Sequence, residues 1–324
     1  MRGLPIAVGS IGLLSPTLDG LQMVLEVLLD SNPWMHDAEA IEMPWRQDKY
    51  DDIVARTHNS GRPDGRLVFG LLTCDEFVQP HPTVSKALQI TRQALEQQGY
   101  EVPTNAIGGH IKVTDVLMAK QIVDWQPPAQ NEAVDNLFRI FGATSGLSIR
   151  EAMEASDEPP IPQIKEWYEQ GNVEGLSAAE FWELCYARTE YRKRFADYWR
   201  NMSERTRCGR AIDGVIQPVS ATTAVREGES HYYGYSAVAN VLDLPAAAFP
   251  VQVESDQVDD SLPQGKPLSD VDKVVRSCCM SNNLHPTPIL LRTYLCMAQI
   301  DRMMQGACLL GCKSWASDIM KNEF

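Results

Sequence analysis

The sequence contains no long hydrophobic run. Crossing a bilayer takes a helix of roughly 18 or more consecutive apolar residues, and no such stretch occurs here. The apolar run from Leu4 to Leu14 follows Met1 and Arg2 as in a short secretory signal, but no small-x-small cleavage site comes after it. The sequence therefore predicts no membrane-spanning helix, and we expect a cytoplasmic protein.

Basic residues are also scarce. The 324 residues include 29 Lys and Arg against 43 Asp and Glu, which gives a net charge of −14. A nucleic-acid backbone requires a basic face on its partner, and an anionic membrane surface attracts basic segments. We therefore exclude nucleic acids and membranes as partners. The apolar share of 44% is typical of a globular chain.

The cysteines lack the spacing of a metal site. Five of the eight lie near the end of the chain, at Cys278, Cys279, Cys296, Cys308 and Cys312. Cys308 and Cys312 are one helical turn apart, yet no second Cys or His pair follows at a zinc-site spacing. We expect no metal, and reduced thiols if the chain is cytosolic.

No G-x-S-x-G nucleophile elbow occurs, and the six histidines are scattered. His81 lies between two prolines, a position that favours a loop or packing residue over a catalytic base. His231 precedes two tyrosines, and it remains open whether this side chain lines a pocket or is solvated. Histidine-based catalysis therefore has no clear candidate.

Apolar periodicity predicts alternating helices and strands in the first half. A helix is predicted from about Ser15, with Pro16 in its first turn, to about Asp30, and the segment 43–66 is predicted to be irregular. A buried strand at Leu67–Leu72, a helix at about Thr83–Gln98 and an extended segment from Tyr100 together indicate a β-α-β unit.

The second half shows the same alternation. A helix is predicted from about Asn131 to Glu154, and Ser177 with Glu180 forms a capping box at the start of a long charged helix. Strands are predicted at Ile212–Ile216 and Ala246–Val253. We predict an α/β fold, in which helices cover a mixed β-sheet.

Several short motifs resemble the amidase-signature family, specifically its fungal acetamidase-like branch. The most specific run, Tyr232 to Val251, is similar to the family pattern Y-T-x-x-x-N-x-L-D-Y-P-x-x-x-F-P-V. Weaker matches, in the family's order, are Gly12–Leu21, Asn32–Trp34, Met43–Arg46, Val78–Val84 and Ser148–Ala152. The resemblance covers most of residues 10–275 and corresponds to the C-terminal portion of the family's domain.

The resemblance implies an incomplete amidase-signature fold and hydrolysis of a small carboxylic amide to an acid and ammonia or an amine, without a cofactor. The family uses a nucleophilic serine, a second serine and a lysine, placed around a segment of the type G-G-S-S-G-G. These 324 residues contain no such segment. Gly142–Gly146 is superficially similar but lacks the doubled residues, and we interpret it as a helix-breaking surface turn. We assign no catalytic residue.

The resemblance does suggest part of a pocket wall. It points to the residues after the strand at 212–216 and to the Tyr232 motif as neighbours of the acyl pocket. The candidate substrate-binding residues are Gln217, Pro218, Tyr235, Asn240 and Pro245. A purely structural interpretation is also open, in which Asn240 caps a turn and Pro245 ends a helix before the next strand.

Two segments depart from the family pattern. Residues 1–275 are interpreted as the C-terminal portion of the family's domain, with an atypical insert at about 104–123; residues 276–324 form a divergent, Cys-rich tail. The family normally continues to a segment of the type G-A-P-V-G-L-Q-L-V-G-R-R. A message for Leu-Gln-Val-Val-Gly, translated one reading frame over, would give the sequence Cys312 to Ala316. Our hypothesis is a shifted-frame tail and an unspliced insert.

Three functional hypotheses follow from this sequence. The first is an amidase-family protein that is truncated and inactive as written, a pseudoenzyme. The second is a non-catalytic binding protein derived from an amidase, which docks on a partner polypeptide. The third is an active amidase whose gene model is truncated. The oligomeric state stays open, between a homo-oligomer and a complex with another polypeptide.

Overall fold

The computed structural model describes residues 12–38, 40–57, 67–101, 120–159, 175–223, 225, 228–253, 263, 265–280 and 291–298. The strands are β1 Val68–Leu71, β2 Tyr100–Glu101, β3 Lys120–Asp124, β4 Gly214–Pro218, β5 Ala246–Val253 and β6 Leu291–Ala298. The helices are α1 Leu18–Asp30, α2 Gln47–Thr57, α3 Pro82–Gln97, α4 Gln130–Phe141, α5 Leu147–Ser156, α6 Ala178–Asn201, α7 Gly234–Leu242 and α8 Asp270–Met280.

The strands form one six-stranded mixed sheet, in the order β2-β3-β1-β4-β6-β5. Strand β1 pairs in parallel with β3 and β4, and β2 pairs in parallel with β3. Strand β6 is antiparallel to both β4 and β5. The predicted mixed sheet is confirmed, and the β-α-β unit is present, but β3 lies between β1 and β2.

Successive residues of a strand point to opposite sides of the sheet, so both faces of this sheet carry apolar side chains. Helices cover both faces. Val68, Val123 and Val215 pack in one core cluster with the aromatic side of α6 and with α7. Phe69 and Ile216 pack in the other cluster, with α3. Strands buried on both faces read as continuous apolar runs, which is why β1 and β4 could be predicted, whereas β3 was not predicted.

The capping box at the start of α6 is confirmed. The Glu180 amide donates to the Ser177 hydroxyl, and the Glu180 carboxylate accepts from the Ser177 amide at 2.9 Å. Leu184, Tyr191, Phe195 and Trp199 of α6 are buried. The other side of α6 carries most of its charged residues and is exposed, as the composition of the helix predicts.

The prediction for residues 43–66 was wrong in part, because Gln47–Thr57 forms helix α2. Only Ile53 of this helix is a buried apolar residue, so its periodicity is too sparse to detect. An ion pair anchors it instead: an Arg56 Nη atom lies 2.6 Å from the Asp213 carboxylate, whose other oxygen accepts from the Val68 amide.

The predicted helix at 131–154 is divided into α4 and α5. The break falls at Ser145 and Gly146, whose φ angles of 52° and 71° lie in the left-handed region. The helix-breaking turn at Gly142–Gly146 is therefore confirmed, although Ser145 is buried and not at the surface. The turn at Gly142–Gly146 contains one serine and no lysine.

The proposed insert and tail lie mostly outside the described residues. Residues 102–119 and 299–324 are among those not described, and Cys308 and Cys312 fall in the second range. Residues 120–123 belong to β3, and residues 291–298 of the tail form β6. The unspliced insert and the shifted frame both stay predictions. Of the helices described, none is long and apolar enough to cross a membrane.

Candidate functional site

The carboxyl ends of β1 and β4 meet at the point where the chain leaves the sheet in opposite directions. Strand β1 continues through the loop at 72–81 into α3, which packs on one face. Strand β4 continues towards α7, which packs on the other face. Ligand sites in open α/β sheets form at such switch points, where diverging loops leave a crevice.

Asp75 is the central polar residue at this edge. It is only 8% exposed, and its Oδ1 accepts the amides of Phe77 at 2.9 Å and Val78 at 2.8 Å. The Tyr232 hydroxyl donates to Oδ2. Burial raises the pKa of Asp75, and these three hydrogen bonds oppose part of the rise. The carboxylate fixes the turn that follows β1.

Tyr235 is fully enclosed beside Asp75. Its hydroxyl donates to the Val78 carbonyl at 2.7 Å and accepts from the Asp75 amide at 3.2 Å. Burial, and next the charge of Asp75, raise the pKa of both Tyr235 and Tyr232 far above the ordinary value. Both hydroxyls donate a hydrogen bond at this edge, Tyr232 to Asp75 and Tyr235 to the Val78 carbonyl.

Gln217 connects three elements through its amide group. Its Nε2 donates to the Tyr235 carbonyl at 2.6 Å, and its Oε1 lies 3.4 Å from the Gln130 Nε2. These contacts join the end of β4 to the start of α7 and to the start of α4. Gln130 and Gln217 are both buried.

The structure brings only some of the five predicted pocket residues together. Gln217 and Tyr235 are in direct contact, and the buried Pro218 follows Gln217 at the end of β4. Asn240 is exposed on α7, and its carbonyl accepts the Asp243 amide at the end of that helix. Pro245 is half-buried, immediately before β5. Substrate contact by any of the five stays a prediction.

Sequence reasoning missed Asp75 and Gln130. The signal for Asp75 was present, because a carboxylate in the loop that follows a buried strand lies near the carboxyl edge of the sheet. Nothing in the sequence marks Gln130, since a buried amide pair has no characteristic spacing. Tyr232 was included in the family motif, but its contact with Asp75 could not be inferred from it.

Helix α8 holds the other side of the loop after β1. The Ser269 hydroxyl donates to the Phe77 carbonyl at 2.8 Å, and Asp272 Oδ1 accepts the Gln79 amide at 3.3 Å. Arg276 donates to the Gln79 Oε1 at 3.0 Å and to Asp272 Oδ2 at 2.8 Å. The loop is thus fixed from both α7 and α8.

The histidines lie in different surroundings. His81 is buried at the start of α3, where its amide donates to the Ala221 carbonyl at 2.7 Å, whereas His231 is exposed. In the part of the chain that the structure describes, no three His, Cys, Asp or Glu residues are grouped closely enough to hold a metal ion.

A separate groove of about 240 Å³ lies between α4 and α6. Its walls carry Glu132, Asp135, Arg139 and Arg188, and its lining contains neither a serine nor a lysine. It also contains none of the five predicted pocket residues. The groove is therefore distinct from the edge at Asp75 and Tyr235.

Replacing Tyr235 by phenylalanine is expected to lower the free energy of unfolding by about 1–3 kcal/mol, because a buried donor and a buried acceptor each lose their partner. Urea unfolding at neutral pH measures this change. The matched control is Tyr233→Phe: this hydroxyl bonds the Ser230 carbonyl at the surface, and we expect a change within about 0.5 kcal/mol. Equal effects would show that the Tyr235 network is not a structural element of this edge.

Comparison with known proteins gives a consistent result. The family model described as Amidase matches residues 1–271. An acetamidase of Aspergillus oryzae is 29% identical over 282 residues, covering 87% of this chain and 47% of that protein. An acetamidase of Emericella nidulans is 26% identical over 292 residues, covering 90% of this chain and 48% of that protein. The chain thus spans about half the length of these relatives.

A solved structure shares the fold. The structure of a fatty acid amide hydrolase superposes with a TM-score of 0.71 at 17% sequence identity. The superposition covers 94% of this chain and 47% of that chain. At this identity the comparison establishes the architecture of the sheet and helices, and again only half of the larger chain is matched.

Proposed function

The chain belongs to the amidase family, since the family model matches residues 1–271 of its 324, and from this premise we propose that it forms one half of a carboxylic-amide hydrolase. In this proposal the edge at Asp75, Tyr235 and Gln217 supplies part of the acyl-pocket wall. A small-molecule amide is the substrate, no cofactor takes part, and the location is cytoplasmic.

The observation that carries the proposal is the match of a half-length chain to two acetamidases in sequence and to an amide hydrolase in fold. Amide hydrolysis by a serine requires a base within hydrogen-bond reach and donors around the developing oxyanion. The G-G-S-S-G-G type of segment that supplies these in the family is absent from the sequence. We therefore propose that these residues alone are inactive.

The rest of the fold would have to supply the serines and the lysine. We expect ammonia release from acetamide when this chain is produced together with the part of the Aspergillus oryzae acetamidase that it does not match. That part produced alone is the control, and it should be inactive. A stable complex that releases no ammonia would contradict the proposal and favour the second candidate.

The second candidate is a non-catalytic partner protein that keeps the pocket wall of an amidase. The exposed apolar side of α1 favours it, because such a surface suits a protein partner. The third hypothesis, an active enzyme with a truncated gene model, is tested by the genomic sequence upstream of Met1. An in-frame Gly/Ser-rich segment after a lysine would support it.

A further inference from the structure

The groove between α4 and α6 has the size and the lining of a small-molecule site. Its volume is about 240 Å³, below the roughly 300–1,000 Å³ of pockets that hold drug-sized ligands, so it suits a smaller molecule. Residues three and four apart on a helix are neighbours on its surface. The lining follows this spacing on both helices, at positions 132, 135, 136 and 139 of α4 and at positions 187, 188 and 191 of α6.

Asp135 supplies the negative charge that is available in this groove. The other carboxylate of the lining, that of Glu132, is paired with Arg194. The Asp135 carboxylate has no hydrogen bond or ion pair to any described residue. Partial burial raises the pKa of Asp135, and no basic group offsets the rise. A cationic group bound in the groove would supply the missing partner.

Asn136 adds a hydrogen-bond acceptor next to this carboxylate. Its Nδ2 donates to the Leu184 carbonyl at 3.0 Å, and this bond fixes which end of the side-chain amide is the oxygen. The Oδ1 atom is buried and has no donor among the described residues. Buried acceptors in proteins are nearly always paired, because an unpaired one is unfavourable. A ligand that brings an N–H donor would therefore satisfy Asn136 as well as Asp135.

Two arginines bring positive charge to the same groove. Arg139 follows Asp135 by one turn of α4, yet the two side chains form no ion pair, and Arg188 of α6 also lines the groove. A guanidinium group binds a carboxylate through two parallel N–H groups. Groups of both signs that do not neutralise each other in one small groove suit a ligand that itself carries both charges.

The rest of the lining is apolar. Ala133 of α4, Ala187 of α6 and Val241 of α7 contribute aliphatic side chains. The Tyr191 hydroxyl donates to the Pro128 carbonyl at 3.1 Å, so its polar group is already satisfied and its ring adds apolar surface to the groove. The ligand should therefore carry an apolar side chain in addition to its two charges.

We propose that the groove between α4 and α6 binds a small apolar amino acid as its zwitterion. The ammonium group contacts Asp135 and the Asn136 Oδ1, and the carboxylate contacts Arg139. The side chain lies on the aliphatic and aromatic part of the lining. None of the lining residues belongs to the edge at Asp75 and Tyr235, so this is a second ligand site, separate from the one proposed for the amide.

The test compares three probes with the same apolar side chain on the purified 324-residue chain, by ligand-observed NMR titration. L-Leucine carries both charges, 4-methylpentanoate lacks the ammonium group, and 3-methylbutylamine lacks the carboxylate. We expect leucine to bind at least about tenfold more tightly than either analogue, because each analogue loses one charge-assisted contact. Equal binding of the three probes, or no binding of millimolar leucine to folded protein, would overturn the inference.

Two variants assign the charges of the ligand to their partners. Asp135→Asn should weaken leucine binding about tenfold and leave 4-methylpentanoate unchanged, because only the ammonium contact is lost. Arg139→Gln should also weaken leucine about tenfold, but it should leave 3-methylbutylamine unchanged. Leucine binding that is unaffected by both changes would overturn the proposed site.

The matched control is Glu183→Gln, which removes an exposed carboxylate of α6 that lies outside the lining. We expect this variant to bind all three probes as the wild type does. All three variants should unfold at the urea concentration of the wild type, because Asp135, Arg139 and Glu183 are exposed. A control variant that loses leucine binding as much as Asp135→Asn would show a general effect of charge and overturn the assignment to the groove.

Discussion

Replacing Arg276 by methionine is expected to lower the free energy of unfolding by about 3–5 kcal/mol, because it leaves the buried Asp272 carboxylate without its positively charged partner. The Asp272 side chain is 0% exposed and that of Arg276 is 8% exposed, with 2.8 Å between Nη2 and Oδ2. The guanidinium also donates to the carbonyls of Pro263 at 3.1 Å and Gly265 at 2.9 Å. All of these groups lose a charged donor in the variant.

A matched control exists on α3. Arg92 and Glu96 form an ion pair with the same spacing of four residues, but their side chains are 40% and 42% exposed. The change Arg92→Met should cost only about 0.3–0.5 kcal/mol, since water screens the exposed pair. Urea unfolding of both variants measures the difference. An Arg276 variant as mild as the Arg92 variant would show that α8 does not hold the loop after β1.

The change Trp125→Ala is expected to cost about 3–5 kcal/mol, because it removes a large side chain from the centre of the core. Trp125 is 1% exposed, and its ring lies 4.8 Å from the ring of Tyr198 and 5.0 Å from that of Trp199 in edge-to-face contacts. It packs over β1, where a methyl group added at Gly70 would lie 3.1 Å from its Cβ. The surrounding strand and helix cannot close such a cavity without moving.

The control for Trp125 is Trp182→Ala. Trp182 is 71% exposed on α6, so its removal leaves no internal cavity, and we expect a change within about 0.5 kcal/mol. Thermal unfolding followed by circular dichroism compares the two variants. A small effect at Trp125 would mean that the packing between β3, β1 and α6 is wrong as described.

Strands β1 and β4 could be predicted because they are buried on both faces, whereas in β5 buried residues alternate with less buried ones. The runs at Leu67–Leu72 and Ala246–Val253 are apolar, and the structure places β1 and β5 there. Helix α2 could not be predicted, since an ion pair between Arg56 and Asp213, 157 residues apart in sequence, replaces an apolar face. A contact at that separation leaves no local pattern.

The candidate site was harder to predict than the fold. The family resemblance selected Gln217 and Tyr235, which the structure brings into contact. It did not select Asp75, whose position becomes clear only when the loop after β1 meets α7. Asn240 was selected from the same motif as Tyr235, but it lies exposed on α7. Motif order therefore selected two elements that adjoin, the end of β4 and the start of α7, and three-dimensional packing determined which of their side chains meet.

The most direct measurement is ammonia release by the purified 324-residue chain from a panel of small aliphatic and aromatic amides. The account predicts that folded, soluble protein gives no turnover above the buffer rate, because these residues lack the serines and lysine that the family uses. Clear turnover that disappears when one particular serine of this chain is replaced by alanine would contradict the account. It would show that these residues contain a nucleophile of their own.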